Sequence, residues 1–272
     1  MSELADLLSG RDNSIQLDVA ALQLARIEFP ELDPKPFLEI LDSHAAELSE
    51  RLTETSDGDE YIVAANQYLF DELGFTGNVT EYYDPVNSCL NEVLARRTGI
   101  PITLSIVYME IARRLDRPVK GIALPGHFIV QYDDGRFSAF LDVFHGGKAI
   151  TRERCWDIAG ESTGQDYSGN EDVLQPADNR SIVFRMLNNL RGIYVQQKEW
   201  PKASLVFDLL IESEPEWAEG YRSRGVIHLH LEKLKSAKSD LERYLLLAPE
   251  APDRAQIEQQ LQAIRNALSR LN

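Results

Sequence analysis

Three residue types that together move acyl groups occur in this chain in the order thiol, imidazole, carboxylate: Cys89, His127 and Asp142. In such chemistry a thiolate attacks an acyl carbon, a His takes its proton and a third group orients the ring. His127 stands in Leu124-Pro125-Gly126-His127-Phe128, and Asp142 in Phe140-Leu141-Asp142-Val143-Phe144-His145-Gly146-Gly147. Between them, Asp133-Asp134-Gly135 is a strong hairpin signal. If the flanking segments pair, His127 and Asp142 meet at one end of adjacent antiparallel strands, within about 3–5 Å. The carboxylate would then fix the imidazole tautomer. The nucleophile is open. Cys89 lies near a helix N-terminus, where a thiolate is favoured. With Leu90, Val93 and Leu94 after it, it also reads as a small buried residue, protonated, inert and out of touch with His127. Thr103 and Ser105 open the following helix and are the other two candidates for the nucleophile; they also read as caps or as groups lining a cleft. Cys155 comes after the dyad and is expected to pack beside Trp156. His145, Gly126 and Gly146 complete the cleft candidates. A glycine permits positive φ or close approach of a ligand, and Pro125 fixes the entry to the strand.

These residues need elements to position them. Ile15, Val19, Leu22 and Ala25 predict a helix over 14–29, capped by Ser14 and stopped by Pro30. A second helix starts near Pro36 with Phe37, Leu41, His44, Leu48 and Leu52 on one face, His44 being a partly buried residue of that stripe. Residues 53–59 read as a loop and 61–73 as a third helix. Short and long helices are expected over 87–97 and 102–115, and Pro118 stops the second. The period then changes, predicting strands over 121–124, 128–132 and 137–143. The first part is therefore α+β, helices first and a small antiparallel sheet after them. The polar stretch 162–179 marks a domain boundary, giving domains 1–178 and 181–272.

From Ser181 onward the pattern is helical only, and it repeats at 34 residues: Ala203 with Ala237, Phe207 with Leu241, Pro215 with Pro249. Small Ala, a large apolar residue four later and a terminating Pro resemble the tetratricopeptide repeat. Five helices are expected, two repeats and a cap over 253–271.

The 272 residues are 43% hydrophobic with a net charge of −16. That charge repels phosphate backbones, so no nucleic-acid partner is expected. Two cysteines imply neither a disulfide framework nor a zinc cluster. No run approaches the roughly 20 apolar residues of a membrane span, and the acidic start lacks signal-peptide character, so a cytoplasmic protein with no membrane partner is expected.

The stretch 82–147 resembles the transglutaminase-like domain of the SirB family of bacterial proteins. The resemblance rests on Asn87-Ser88, Leu90-Asn91-Glu92-Val93-Leu94, Gly99-Ile100-Pro101-Ile102-Thr103-Leu104-Ser105, Pro125-Gly126-His127-Phe128 and Asp142-Val143-Phe144 with Gly146-Gly147. Upstream, Leu69-Phe70-Asp71-Glu72-Leu73-Gly74-Phe75 fits too. It implies a helical leader, a transglutaminase-like (papain-like) core and C-terminal tetratricopeptide repeats. Enzymes of that superfamily use Cys, His and Asp in chain order, and His127 and Asp142 match the last two. The superfamily's Cys starts the helix before the strands, here 102–115, which holds Thr103 and Ser105 but no Cys. The leading expectation is a regulatory module binding a protein or peptide on an inactive core, without cofactor or metal. The alternative is an active cysteine hydrolase or acyltransferase using Cys89, His127 and Asp142. A third is a scaffold whose repeats mediate assembly. The distance from the Cys89 sulfur to the His127 ring separates the first two.

Overall fold

A computed structural model describes residues 15–53 and 56–271. Leu17, Ala20, Ala21, Leu22, Leu24 and Ala25 are all buried, and so are Asp18 and Gln23, so α1 (Leu17–Ala25) is buried on nearly every side. It ends earlier than the periodicity predicts. The amides of Ile27 and Glu28 bond three residues back, and Arg26 donates twice to the Leu32 carbonyl, which tightens the last turn. Ser14, the expected cap, lies outside the described residues. α2 (Lys35–Ser49) carries Pro36 in its first turn and buries Leu41, Ala45 and Leu48. Tyr68 donates its hydroxyl proton to Glu47 at 2.9 Å, so at 2.8 Å the His44 Nδ1–H is the donor to Tyr68; His44 is a structural histidine.

α3 (Gly58–Asn66) begins at a capping box. Asp57 accepts from the Glu60 amide at 3.0 Å, and Glu60 accepts from the Asp57 amide at 3.3 Å. A π-helical segment, Gln67–Glu72, continues it. β1 (Thr76–Gly77) pairs in parallel with β2 (Thr98–Gly99) across α4 (Leu90–Arg96) and the 3₁₀ turn Pro85–Ser88 before it. α5 (Pro101–Arg114) is the central helix: every residue from Pro101 to Ala112 is buried. Its buried Glu110 pairs with Arg113 at 2.7 Å and Arg114 at 2.9 Å, and Arg114 also holds the buried Asp18 of α1 at 2.7 Å.

Four antiparallel strands follow in sequential order: β3 (Val119–Ile122), β4 (Ile129–Asp133), β5 (Ser138–Asp142) and β6 (Lys148–Ile150). The β4–β5 turn is the Asp-Asp-Gly one. Asp134 accepts from the amides of Arg136 and Phe137, and Gly135 sits at φ 80°. α6 (Arg152–Thr163), capped by Thr151, seals one face by burying Cys155 and Ala159. Cys155 packs in a cluster with Ile122, Leu124, Ile129, Phe140 and Leu174, and Trp156 lies against it.

The chain divides into two compact units between Met186 and Leu187, inside α7 (Asn179–Gln197). The polar stretch read as a boundary is thus followed by a helix whose first turns bury Ile182, Val183 and Met186 with the first unit. The second unit holds the rest of α7, α8 (Trp200–Ser213), α9 (Ala218–His230), α10 (Leu234–Leu247) and α11 (Arg254–Leu271), with no strand among the described residues. Ala203 and Ala237 are fully buried, as the 34-residue pattern requires. A Cβ on Gly225 would lie 2.9 Å from the Leu241 side chain, so glycine allows α9 and α10 to approach. A buried polar chain ties three helices: Ser204 to His228 at 3.3 Å, His228 to Asp240 at 2.9 Å, and Arg224 to both Asp240 oxygens at 2.9 and 2.6 Å.

Candidate functional site

The turn between β3 and β4 presents His127. Gly126 has φ 72°, and a Cβ there would lie 1.7 Å from Ser162 Oγ at the end of α6, so both backbone and space demand glycine. The His127 amide donates to the Leu124 carbonyl at 3.2 Å, and Arg185 Nη2 donates to the His127 carbonyl at 2.7 Å. Both ends of this peptide are therefore held. Asp142 closes β5. A 3₁₀ turn, Val143–His145, sets His145 over Asp142, three residues before it, and two glycines at φ 80° and 68° then lead the chain into β6.

His127 Nε2 lies 3.1 Å from Asp142 Oδ1, and His145 Nδ1 lies 2.8 Å from Asp142 Oδ2. One carboxylate thus serves two imidazoles. Burial alone would raise the Asp142 pKa, but the hydrogen bonds and charge of His127, and then of His145, outweigh it and hold the carboxyl below the usual range. An ionised carboxylate only accepts, so both rings donate to it, leaving His127 Nδ1 and His145 Nε2 as lone-pair nitrogens in the neutral rings. Phe144 packs edge-on to His127, with ring centroids 6.1 Å apart.

A cavity of about 530 Å³ opens on this cluster, lined by Gly126, His127, Asp142 and His145 together with Lys148, Arg154, Glu161 and Ser162. Arg154 and Glu161 are paired at 2.6 Å. The last four residues were absent from the sequence-based candidates because β6 and α6 were not read as elements. The signal available was Thr151 as a cap ahead of an acidic first turn.

The other candidates fall elsewhere. Cys89 is 1% exposed at the N-cap of α4, and its Sγ donates back to the Pro85 carbonyl at 3.6 Å. Burial pushes the Cys155 thiol up to about 12. Neither cysteine is in a disulfide, and neither lines the cavity. Thr103 and Ser105 are fully buried and do not line it either. Thr103 Oγ1 accepts from the Ile100 amide at 3.2 Å and donates to the Asn87 carbonyl at 2.7 Å, which is capping and bracing. Gly146 is exposed and serves the turn.

A half-buried His beside a buried Asp at a strand end, a central helix buried from Pro101 to Ala112 and a repeat unit define the class, and comparison agrees. Residues 35–188 match the family described as the transglutaminase-like superfamily, and residues 190–262 match the tetratricopeptide repeat. The chain belongs to the transglutaminase-like superfamily, with a tetratricopeptide-repeat region after that domain. More particularly, it is 37% identical to a UPF0162 protein of Xylella fastidiosa over 243 residues, 88% of this chain and 86% of that protein. It is 26% identical to Protein SirB1 of Salmonella typhimurium over 248 residues, 90% of each chain. A 138-residue stretch, 48% of this chain, is 33% identical to F-box only protein 21 of Homo sapiens and spans 21% of that protein.

Proposed function

We propose that this protein is a regulatory binding module: a transglutaminase-like core that does no thiol chemistry, coupled in one chain to a repeat surface that holds a protein or peptide. The observation that carries this reading is the lining of the His127–Asp142 cavity, which contains two imidazoles, two carboxylates, two cations and a hydroxyl but no thiol. With no thiol in that lining, the imidazole has no thiolate to generate, and the site is read as one that binds. The second unit supplies a cavity of about 630 Å³ lined by Trp200, Phe207 and Trp217 with Arg191, Glu219 and Arg222, an aromatic and charged mixture suited to peptide side chains.

An immobilised peptide library tests this. The wild-type chain should retain a defined set of peptides unchanged in mass, and Trp217→Ala should release them. Peptides that instead become hydrolysed or acylated in a Cys89-dependent way would replace the binding reading with the cysteine hydrolase.

A further inference from the structure

The triplet His127, Asp142 and His145 has a use that acyl chemistry does not require. Their donor atoms all lie within 4.8 Å of one another, and the two nitrogen–oxygen separations are 3.1 and 2.8 Å. Around a tetrahedral ion with metal–ligand bonds near 2.0–2.2 Å, ligand atoms sit about 3.3–3.6 Å apart. His127 and Asp142 are already close to that spacing. The His145 side chain is 58% exposed and held by its bond to Asp142 and an edge contact with Phe144, so a small turn of the ring brings Nδ1 the remaining distance. We propose that this triplet is a binding site for a divalent first-row transition cation of the zinc, nickel and cobalt class, with two nitrogens and one oxygen as ligands and the remaining positions open to the cavity.

The choice of cation follows from the surroundings. Lys148 is the register partner of Asp142 across β5 and β6, and Arg154 lines the same cavity. Glu161 offsets Arg154, with which it pairs. With one inner carboxylate against nearby cations, magnesium and calcium, which need several oxygen ligands, are disfavoured. Imidazole nitrogens suit the borderline cations and tolerate that charge. Both rings also have the needed alternative tautomer, since moving the proton to His127 Nδ1 and His145 Nε2 frees the nitrogens that face Asp142.

The chain has five histidines, and the other three are occupied. His44 bonds Tyr68, His228 bonds Asp240 in the buried chain, and His230 stacks on Trp200 at 4.3 Å. Tag-free, metal-free protein is titrated with zinc, nickel and cobalt chlorides, read by calorimetry and by the visible absorption of cobalt(II). One equivalent should bind, and cobalt should develop the intense bands of a low-coordinate nitrogen–oxygen site. His145→Ala, which changes an exposed side chain, should weaken binding roughly tenfold to a hundredfold or more, as should His127→Ala. His230→Ala should titrate like wild type, and magnesium should not compete. Binding unchanged in both His145→Ala and His127→Ala, cobalt that keeps its aqueous spectrum, or no saturable equivalent would overturn the proposal. No peptide is present in the titration, so its outcome is independent of the binding reading above.

Discussion

Asp142 satisfies two imidazoles from a buried position, and each consequence of that is measurable. Replacing it with Asn removes the charge and leaves one ring facing an amide N–H, so Asp142→Asn should cost about 1–3 kcal/mol in urea unfolding at neutral pH. The folded carboxyl titrates below the ordinary value of about 3.9. The unfolded chain therefore takes up this proton first, so the stabilisation is complete above that value and is lost as pH falls through the folded one. Wild type should lose this part of its stability below about pH 4, whereas the loss contributed by this group should be missing from the acid limb of Asp142→Asn. Gly126 offers a second residue test. Gly126→Ala forces a side chain to φ 72° and into Ser162, which should cost about 1–3 kcal/mol. Adding Ser162→Gly should recover the steric part of that cost and leave the backbone part.

At the scale of elements, the hairpin was legible because Asp133-Asp134-Gly135 is a turn with a mechanism, and it carried His127 and Asp142 to one another. The helices of the repeat unit were legible from Ala203, Ala237, Phe207 and Leu241, whose spacing is set by helix contact. The far wall of the cavity was not. β6 has three residues and no usable period, and α6 buries only Cys155 and Ala159, so its sequence shows charge where the structure shows a wall. The start of α3 was readable from Asp57 and Glu60, three apart, but was placed at Tyr61. Asp57→Ala should cost about 1 kcal/mol in thermal or urea unfolding. In the repeats, Asp240→Ala removes the acceptor of His228 Nδ1 and leaves Arg224 only its pairing with Asp208, and should destabilise by about 2–4 kcal/mol in the same assay.

At the scale of the whole molecule, the first unit buries its thiols and the second lines a groove with Trp200, Phe207 and Trp217. The net charge of −16 makes retention on DNA at physiological salt unexpected, which a mobility-shift assay checks. Among the described residues no helix is long and apolar enough to cross a membrane. The reading of a core without thiol chemistry turns on Cys89. The most direct measurement is the rate of iodoacetamide modification of the folded protein, followed site by site by mass spectrometry, in wild type and in His127→Ala. Cys89 and Cys155 should react slowly in both proteins and rapidly only in denaturant. Rapid, stoichiometric alkylation of Cys89 in the folded wild type, strongly slowed by His127→Ala, would contradict the binding-module reading and make the protein a cysteine enzyme.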